Sequence, residues 1–189
     1  MALLSLTRRK KYLKFLGYPV YNPDSVKRFQ AEYFTRPIDI DGIYGNDTDI
    51  LLRHVYNVKS SDIRNFTPSE FRCTCGRCTG YPDRMKVKTL VFMQRIRDYY
   101  NKPVQVTSAL RCKYENTQSG GVRNSKHLTG YAVDYYIKGV TDSKSGRKKH
   151  INIIKKWLNH DYSYGNGYDS NGYNRTSVTM GNAVHTQVK

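Results

Sequence analysis

The chain has 189 residues, enough for one medium domain or for a small module joined to a domain of about 120 residues. Its 38% apolar and 13% aromatic residues exclude a disordered chain and predict a buried core. The 32 lysines and arginines outnumber the 15 acidic residues. The resulting formal charge of +17 favours polyanionic partners, a class that includes nucleic acid, an anionic membrane face and a phosphate-bearing cell wall.

The N-terminal run MALLSLTRRKKYLKFLGYP places its basic residues after a short apolar stretch, the wrong order for a secretory signal. No apolar stretch approaches about 18 residues, so no membrane span is predicted. The basic residues are scattered as RRKK, KVK, GRKK and KK, without a helix-turn-helix, RNA-binding or basic-zipper pattern. A solvated basic surface is therefore favoured over a nucleic-acid site.

The first sixty residues predict helices. The segment LTRRKKYLKFLG predicts a helix with Leu6, Leu13 and Leu16 on one face. The segment NPDSVKRFQAEYF predicts an amphipathic helix that has Asn22 as its N-cap. A third helix is predicted in DILLRHVYNV, after a tight Asp-Gly turn.

A polar, turn-rich segment at residues 59–70 separates two parts of the chain, and all four cysteines follow it. We therefore predict a helical module over residues 1–61 and a second domain over residues 62–189. The second part alternates helical periodicity with strand-like stretches in PVQVTSAL, YAVDYYI and AVHTQV. Its fold class is predicted to be α+β, a small antiparallel sheet with flanking helices.

The stretch SKHLTGYAVD carries the candidate chemistry. Strand alternation places Asp134 on one face of YAVDYYI and His185 on one face of AVHTQV, so the two side chains converge if these strands are neighbours. Gly130 lets the preceding loop fold the His127 imidazole back over Asp134. Two nitrogen donors, one oxygen donor and an open position are the ligand set of a catalytic zinc. An ordinary ion pair between His127 and Asp134 is the alternative.

The stretch SALRCKYENTQSGGVRNSKHLTGYAVD resembles the zinc D-Ala-D-Ala carboxypeptidase family, which includes phage endolysin peptidases. The family motif reads roughly S-x-R followed by S-x-H-x-x-G-x-A-x-D. This resemblance implies a hedgehog/D-Ala-D-Ala peptidase-like fold and three zinc ligands, His127, Asp134 and His185. It also implies that Arg111 stabilises a substrate carbonyl or carboxylate and that Ser125 contacts substrate.

The chain departs from this family before its last zinc histidine. Many members carry an Asp or Glu there as general base, but this sequence has Asn182, and an amide cannot accept that proton. One alternative is that Asp169, His160 or Asp161 is the general base. The other is that a metal-activated water reacts with less assistance from protein side chains. The departure also supports an alternative function, a catalytically impaired wall-binding or virion structural protein.

The stretches VKRFQAEYF and DGIYGNDT resemble the three-helix peptidoglycan-binding domain, with its F-Q helix and its D-G-x-[FY]-G-x-x-T turn. The resemblance implies that Asp41, Gly42 and Tyr44 contact the cell wall. Taken alone, the turn could be any helix-joining loop. A wall-binding module would raise the effective substrate concentration of a joined peptidase without altering its active site.

The segment FRCTCGRCTG places Cys73, Cys75 and Cys78 close together, and the fourth cysteine, Cys112, follows Arg111. Four thiols at one site could hold a structural zinc in addition to the catalytic one. Their spacing differs from the usual paired C-x-x-C arrangement. The sequence therefore favours reduced core thiols or a disulfide over a second zinc.

These observations together predict a zinc-dependent peptidoglycan peptidase of the endolysin type, which hydrolyses an amide bond in the peptide stem or cross-bridge of the wall. The expected partners are bacterial peptidoglycan and anionic wall polymers. Without a secretory signal, the protein is expected in the host cytoplasm until lysis, or carried in a virion. A nucleic-acid binder is a further alternative, supported by the charge and by the aromatic stretch DYSYGNGYDSNGYNR.

Overall fold

The computed structural model describes residues 2–161 and 183–188, and for residues 158–161 only the helical backbone. These ranges contain six α-helices: α1 (Leu6–Phe15), α2 (Pro23–Tyr33), α3 (Asn46–Ser60), α4 (Val87–Tyr100), α5 (Lys113–Gln118) and α6 (Lys144–Asp161). They also contain three strands: β1 (Gln105–Ser108), β2 (Ala132–Tyr136) and β3 (Val184–Gln187). Asn182, Asp169 and the side chains of His160 and Asp161 lie outside the described residues.

The three N-terminal helices form where the sequence predicts them. Asn22 caps α2, since its Oδ1 accepts a hydrogen bond from the Ser25 amide at 2.8 Å and Pro23 is the first helical residue. The predicted apolar face of α1 is only partly buried. Leu13 is 1% exposed, whereas Leu6, the first residue of the helix, is 51% exposed. The buried face of α1 therefore begins later than predicted.

The sheet has the order β1-β2-β3, and both pairs of neighbouring strands are antiparallel. This confirms the predicted α+β class with a small antiparallel sheet. The central strand β2 sets Asp134 opposite Ser108 on one side and opposite His185 on the other. The register shifts between Val106 and Ser108, a bulge at the end of β1 that faces Asp134.

One continuous apolar core runs through the described chain, from Phe29 and Leu51 in the N-terminal helices to Met93 and Tyr135 beside the sheet. It crosses the predicted boundary near residue 62, so both sides of that boundary share buried surface. The boundary itself stays a prediction. In the described ranges no helix combines the length and apolar character needed to cross a membrane.

The buried imidazole of His54 also crosses this boundary. It lies on α3, and its Nε2 donates to the Pro68 carbonyl at 2.9 Å. Its Nδ1 accepts from the Met85 amide at 3.2 Å. Because one ring nitrogen donates and the other accepts, the ring is held neutral, and it joins α3 to two segments of the second part of the chain.

Candidate metal centre

Two neighbouring strands and one turn bring the candidate ligands together. Asp134 on β2 and His185 on β3 are register partners, so their side chains leave the same face of the sheet. His127 lies in a short 3-10 helix (Lys126–Thr129) just before β2. Ser125 caps that helix, and its Oγ accepts from the His127 amide at 3.4 Å. The two strands are therefore neighbours, which is the condition under which the sequence predicted that Asp134 and His185 converge.

Gly130 makes the turn between His127 and β2, and the close packing there requires a glycine. Its φ is +72°, and a Cβ at this position would lie 2.1 Å from the Arg84 carbonyl oxygen. The Gly130 carbonyl accepts from the Lys86 amide and from the Thr89 hydroxyl, each at 3.1 Å. These bonds anchor the His127 turn to the start of α4.

The three candidate ligand atoms lie close enough together to share one small cation. His127 Nε2 is 3.2 Å from Asp134 Oδ1 and 3.3 Å from His185 Nδ1. His185 Nδ1 is 2.7 Å from Asp134 Oδ1. Tetrahedral zinc with bonds near 2.05 Å would separate its N and O ligands by about 3.3 Å. Two of the three distances match this spacing, and a small outward movement of His185 would give the third.

The second nitrogen of each imidazole has its own partner. His127 Nδ1 donates to the Ala109 carbonyl at 2.6 Å, which leaves the lone pair of Nε2 directed at the other ligands. His185 Nε2 lies 3.4 Å from Gln187 Oε1, which leaves Nδ1 facing Asp134. Oriented, unprotonated nitrogens on two rings are what a metal needs.

Burial of His127 and the two histidines beside Asp134 favour the protonation state that binds a metal. Burial lowers the pKa of His127, so the neutral ring predominates near pH 7. Burial alone would raise the pKa of Asp134, but the charges and hydrogen bonds of His127 and His185 outweigh it and hold that pKa below its usual range. A neutral imidazole and an ionised carboxylate are the forms that bind zinc.

Arg111 contacts the His-Asp-His group through the Asp134 carboxylate. It is 6% exposed, and its Nη2 forms an ion pair with Asp134 Oδ2, the oxygen that faces away from the histidines. Its Nε donates to Ser108 Oγ at 2.7 Å. Its amide donates to the His127 carbonyl at 3.2 Å, so the residue contacts both the ligand turn and the ligand carboxylate.

Three supporting groups were not anticipated from the sequence: Ser108 beneath Arg111, the Ala109 carbonyl on His127, and Gln187 beside His185. The position of Gln187 carried a usable signal, because alternate strand residues face the same side and Gln187 lies two residues after His185. Ser108 lies opposite Asp134 on the neighbouring strand, and the sequence alone does not predict that pairing. The position of a main-chain carbonyl such as that of Ala109 cannot be predicted from the sequence, because every residue has one.

The residues expected to contact the wall have internal partners in the structure. Asp41 Oδ1 accepts from the Gln30 side chain at 2.9 Å and from the Ile43 amide at 2.8 Å. Gly42 has a φ of +77° and donates its amide to Gln30 Oε1 at 2.7 Å. The Tyr44 hydroxyl donates to Asp49 Oδ1 at 2.9 Å. These contacts fix the turn, and its role in wall binding stays a prediction.

A second group of residues could also bind a metal. The Sγ atoms of Cys73, Cys75, Cys78 and Cys112 all lie within 4.8 Å of one another, and all four cysteines are free. The thiol cluster, as we call these four residues, is separate from the His-Asp-His group. The described residues thus hold two candidate metal centres.

A comparison with curated proteins found no match. The family model described as Peptidase M15 matches residues 64–160, just over half of the chain. The matched region includes Arg111, His127, Asp134 and the thiol cluster, and it begins close to the predicted boundary near residue 62. The chain therefore belongs to the Peptidase M15 family, whose members are zinc-dependent metallopeptidases.

Proposed function

We propose that this chain is a zinc peptidase that hydrolyses an amide bond in the peptide stem or cross-bridge of bacterial peptidoglycan. One observation carries the proposal: His127 Nε2, Asp134 Oδ1 and His185 Nδ1 converge within 3.3 Å of one another in a member of the M15 family. An endolysin-type role, with the protein in the host cytoplasm until lysis or in a virion, belongs to the same proposal.

His127, Asp134 and His185 would hold the catalytic zinc through one atom each. When bound, zinc polarises the scissile carbonyl and lowers the pKa of a bound water toward about 7. The protein contributes the orientation of its ligands. The Ala109 carbonyl fixes the ring of His127, and Arg111 holds the outer oxygen of Asp134, so Oδ1 stays directed at the two histidines.

Arg111 is proposed to have a second task. Its Nε and Nη2 are used by Ser108 and Asp134, and the guanidinium group offers further N–H donors in the same plane. We assign those donors to the substrate oxygen that gains negative charge in the transition state. Ser125, half-buried at the start of the His127 turn, is proposed to contact the substrate main chain.

The N-terminal helices are proposed to bind the wall. Beside the Asp41 turn lies an open groove of about 200 Å³, whose lining includes Phe34, Ile38 and Ile43. Ile38 is 83% exposed and Ile43 is 67% exposed, so two large apolar side chains flank a groove that also contains carboxylates. Apolar contacts beside hydrogen-bonding groups suit a glycan or a peptide stem.

The test uses purified full-length protein and isolated cell walls. We expect wall turbidity to fall, mass spectrometry to detect released muropeptides, and a chelator to stop both. His127→Ala should abolish hydrolysis and retain wall binding, whereas Asp142→Asn, a change at an exposed carboxylate, should leave hydrolysis intact.

A second candidate function is favoured by Asn182, which stands where related peptidases carry an acidic base. In this case the chain would be a wall-binding protein without catalytic activity. Binding to walls without muropeptide release, in protein that contains a full complement of zinc, would establish this function and contradict the peptidase proposal.

A further inference from the structure

The thiol cluster joins two separate segments of the chain. Cys73, Cys75 and Cys78 lie on the loop between Phe71 and Tyr81, and Cys112 lies directly before α5. The loop folds back on itself, since the Cys73 amide donates to the Gly80 carbonyl at 2.7 Å. This fold turns Cys75 and Cys78 toward Cys112, which is far away in the sequence.

The sulfur spacing fits a four-coordinate metal. Cys75 Sγ lies 3.7 Å from Cys78 Sγ and 3.6 Å from Cys112 Sγ. Zinc with Zn–S bonds near 2.3 Å holds its sulfurs about 3.8 Å apart, whereas a disulfide joins its sulfurs at about 2.05 Å. All four sulfurs lie within 4.8 Å of one another, so one ion can contact them all. Two disulfides would require the loop to rearrange.

Main-chain amides point at three of the sulfurs. The amides of Arg77, Gly80 and Glu115 donate to the sulfurs of Cys75, Cys78 and Cys112, each at 3.4 Å. Such donors stabilise sulfur that carries negative charge, which is the thiolate form a metal binds. Core thiols that serve only as apolar packing have no need of three aligned N–H groups.

We infer that Cys73, Cys75, Cys78 and Cys112 bind a second zinc ion with a structural role. Four thiolates complete a tetrahedral shell and leave no position for water, so this ion holds the fold and takes no part in hydrolysis. Four sulfur ligands in this geometry select zinc or iron over the harder metals. This reverses the preference for reduced thiols or a disulfide that the spacing alone suggested.

The inferred ion would clamp the loop against the turn that carries Arg111. Cys112 follows Arg111 directly, and the Leu110 amide donates to the Phe71 carbonyl at 3.0 Å. The backbone around Arg111 is thus held on one side by the loop and on the other by the His127 carbonyl. The structural zinc therefore supports the position of Arg111 without contacting substrate.

The test is metal analysis of the full-length protein purified without chelator. We expect two zinc ions per chain in the native protein and one in the His127→Ala/His185→Ala variant, which lacks two of the proposed catalytic ligands. Titration of that variant with a mercurial reagent should release one zinc as four thiols react. Cobalt substitution should give the intense near-ultraviolet thiolate charge-transfer band of a sulfur-ligated metal.

Loss of this ion should also destabilise the fold, and the double-histidine variant isolates that effect. Zinc removal from it should lower the melting temperature by roughly 10 °C or more. A double-histidine variant that contains no zinc, fewer than four free thiols in the denatured protein, or iron in place of zinc would overturn the inference. None of these results depends on hydrolysis, so the peptidase proposal is tested separately.

Discussion

The two oxygens of the Asp134 carboxylate have different partners. Oδ1 faces His127 and His185, and Oδ2 is held by Arg111. A carboxylate with one oxygen anchored cannot rotate freely, so the oxygen offered to the metal is already oriented. The residue is 1% exposed, and its charge is therefore balanced by protein groups and, when bound, by the metal.

Asp134→Asn should remove zinc from the catalytic centre and abolish hydrolysis. The amide keeps the shape of the side chain but loses its charge, and its NH2 group would face either Arg111 or the imidazoles, which offer no acceptor when a metal is bound. Zinc per chain and muropeptide release are the measurements. Asp142→Asn, at an exposed carboxylate, is the matched control and should change neither. Full activity in Asp134→Asn would contradict the ligand assignment.

Arg111→Lys should slow turnover by about 100-fold, which corresponds to about 3 kcal/mol of transition-state stabilisation. A lysine ammonium cannot contact Ser108, Asp134 and the substrate together, because it lacks the planar fork of arginine. At saturating zinc the metal content should be unchanged, since Arg111 contacts a ligand but is not one. The control is Arg64→Lys, at a side chain that is 60% exposed. Near-normal turnover in Arg111→Lys would show that Arg111 contributes to packing and not to stabilisation of the transition state.

At the scale of elements, alternation predicted on which face of its own strand Asp134 and His185 each lie, but it left open whether the two strands are neighbours. The direct pairing of β2 with β3 shows that they are. The short helix α5 was not predicted, because six residues are too few for a periodic signal. The turn at Asp41 and Gly42 was recognised from its sequence pattern. Its internal hydrogen bonds were not predicted, because they depend on the Gln30 side chain from α2.

Buried histidines were the other feature that the sequence did not reveal. The His150 ring lies between the hydroxyls of Tyr100 and Tyr135, with its nitrogens 2.8 and 2.7 Å from them, and it joins α6 to α4 and β2. His54 joins α3 to Pro68 and Met85 in the same way. A histidine on an apolar helix face gives no indication of its partners when they come from distant segments.

The link made by His54 should weaken in acid. Burial lowers the pKa of its ring from 6.5 to about 4, so between these values the unfolded chain binds a proton that the folded chain does not. The free energy of unfolding should therefore fall as the pH drops from 6.5 to about 4, by on the order of 3 kcal/mol from this residue. Denaturant titrations across this range measure the effect.

His54→Gln provides the control, because its amide has both a donor group and an acceptor oxygen but does not titrate. The stability difference between the native protein and this variant should be largest near pH 7 and should shrink toward pH 4. Loss of the catalytic zinc in acid affects both proteins and cancels in the comparison. A difference that stayed constant across this range would show that His54 does not carry the pH dependence.

The exposed apolar pair beside the groove gives a test of the N-terminal helices. Ile38→Ser/Ile43→Ser should weaken binding to intact walls and slow their hydrolysis, with little change on a soluble muropeptide. Deletion of the helices is a poorer test because α3 shares the core with the second part of the chain. Val122→Ser, at an apolar side chain that is 68% exposed outside the groove, is the control. Equal effects on both substrates would place the groove in the catalytic function.

At the scale of the whole molecule, the net charge of +17 should govern attraction to an anionic wall. Binding should weaken as salt rises from about 0.1 to 0.5 M, because the screening length falls below about 10 Å over this range. Co-sedimentation with walls at several salt concentrations measures this. The same series with walls stripped of their anionic polymers separates charge attraction from groove binding. Binding that does not change with salt concentration would show that the net charge does not contribute to wall attraction.

The strand order has a consequence for biosynthesis. His185 comes 51 positions after Asp134, and β3 pairs with a central strand made much earlier. Chains fold as they leave the ribosome, from the N-terminus onward. A nascent chain that has emerged as far as α6 can present His127 and Asp134 but not the third ligand. The proposed hydrolytic centre is therefore incomplete until β3 has been synthesised and has paired with β2.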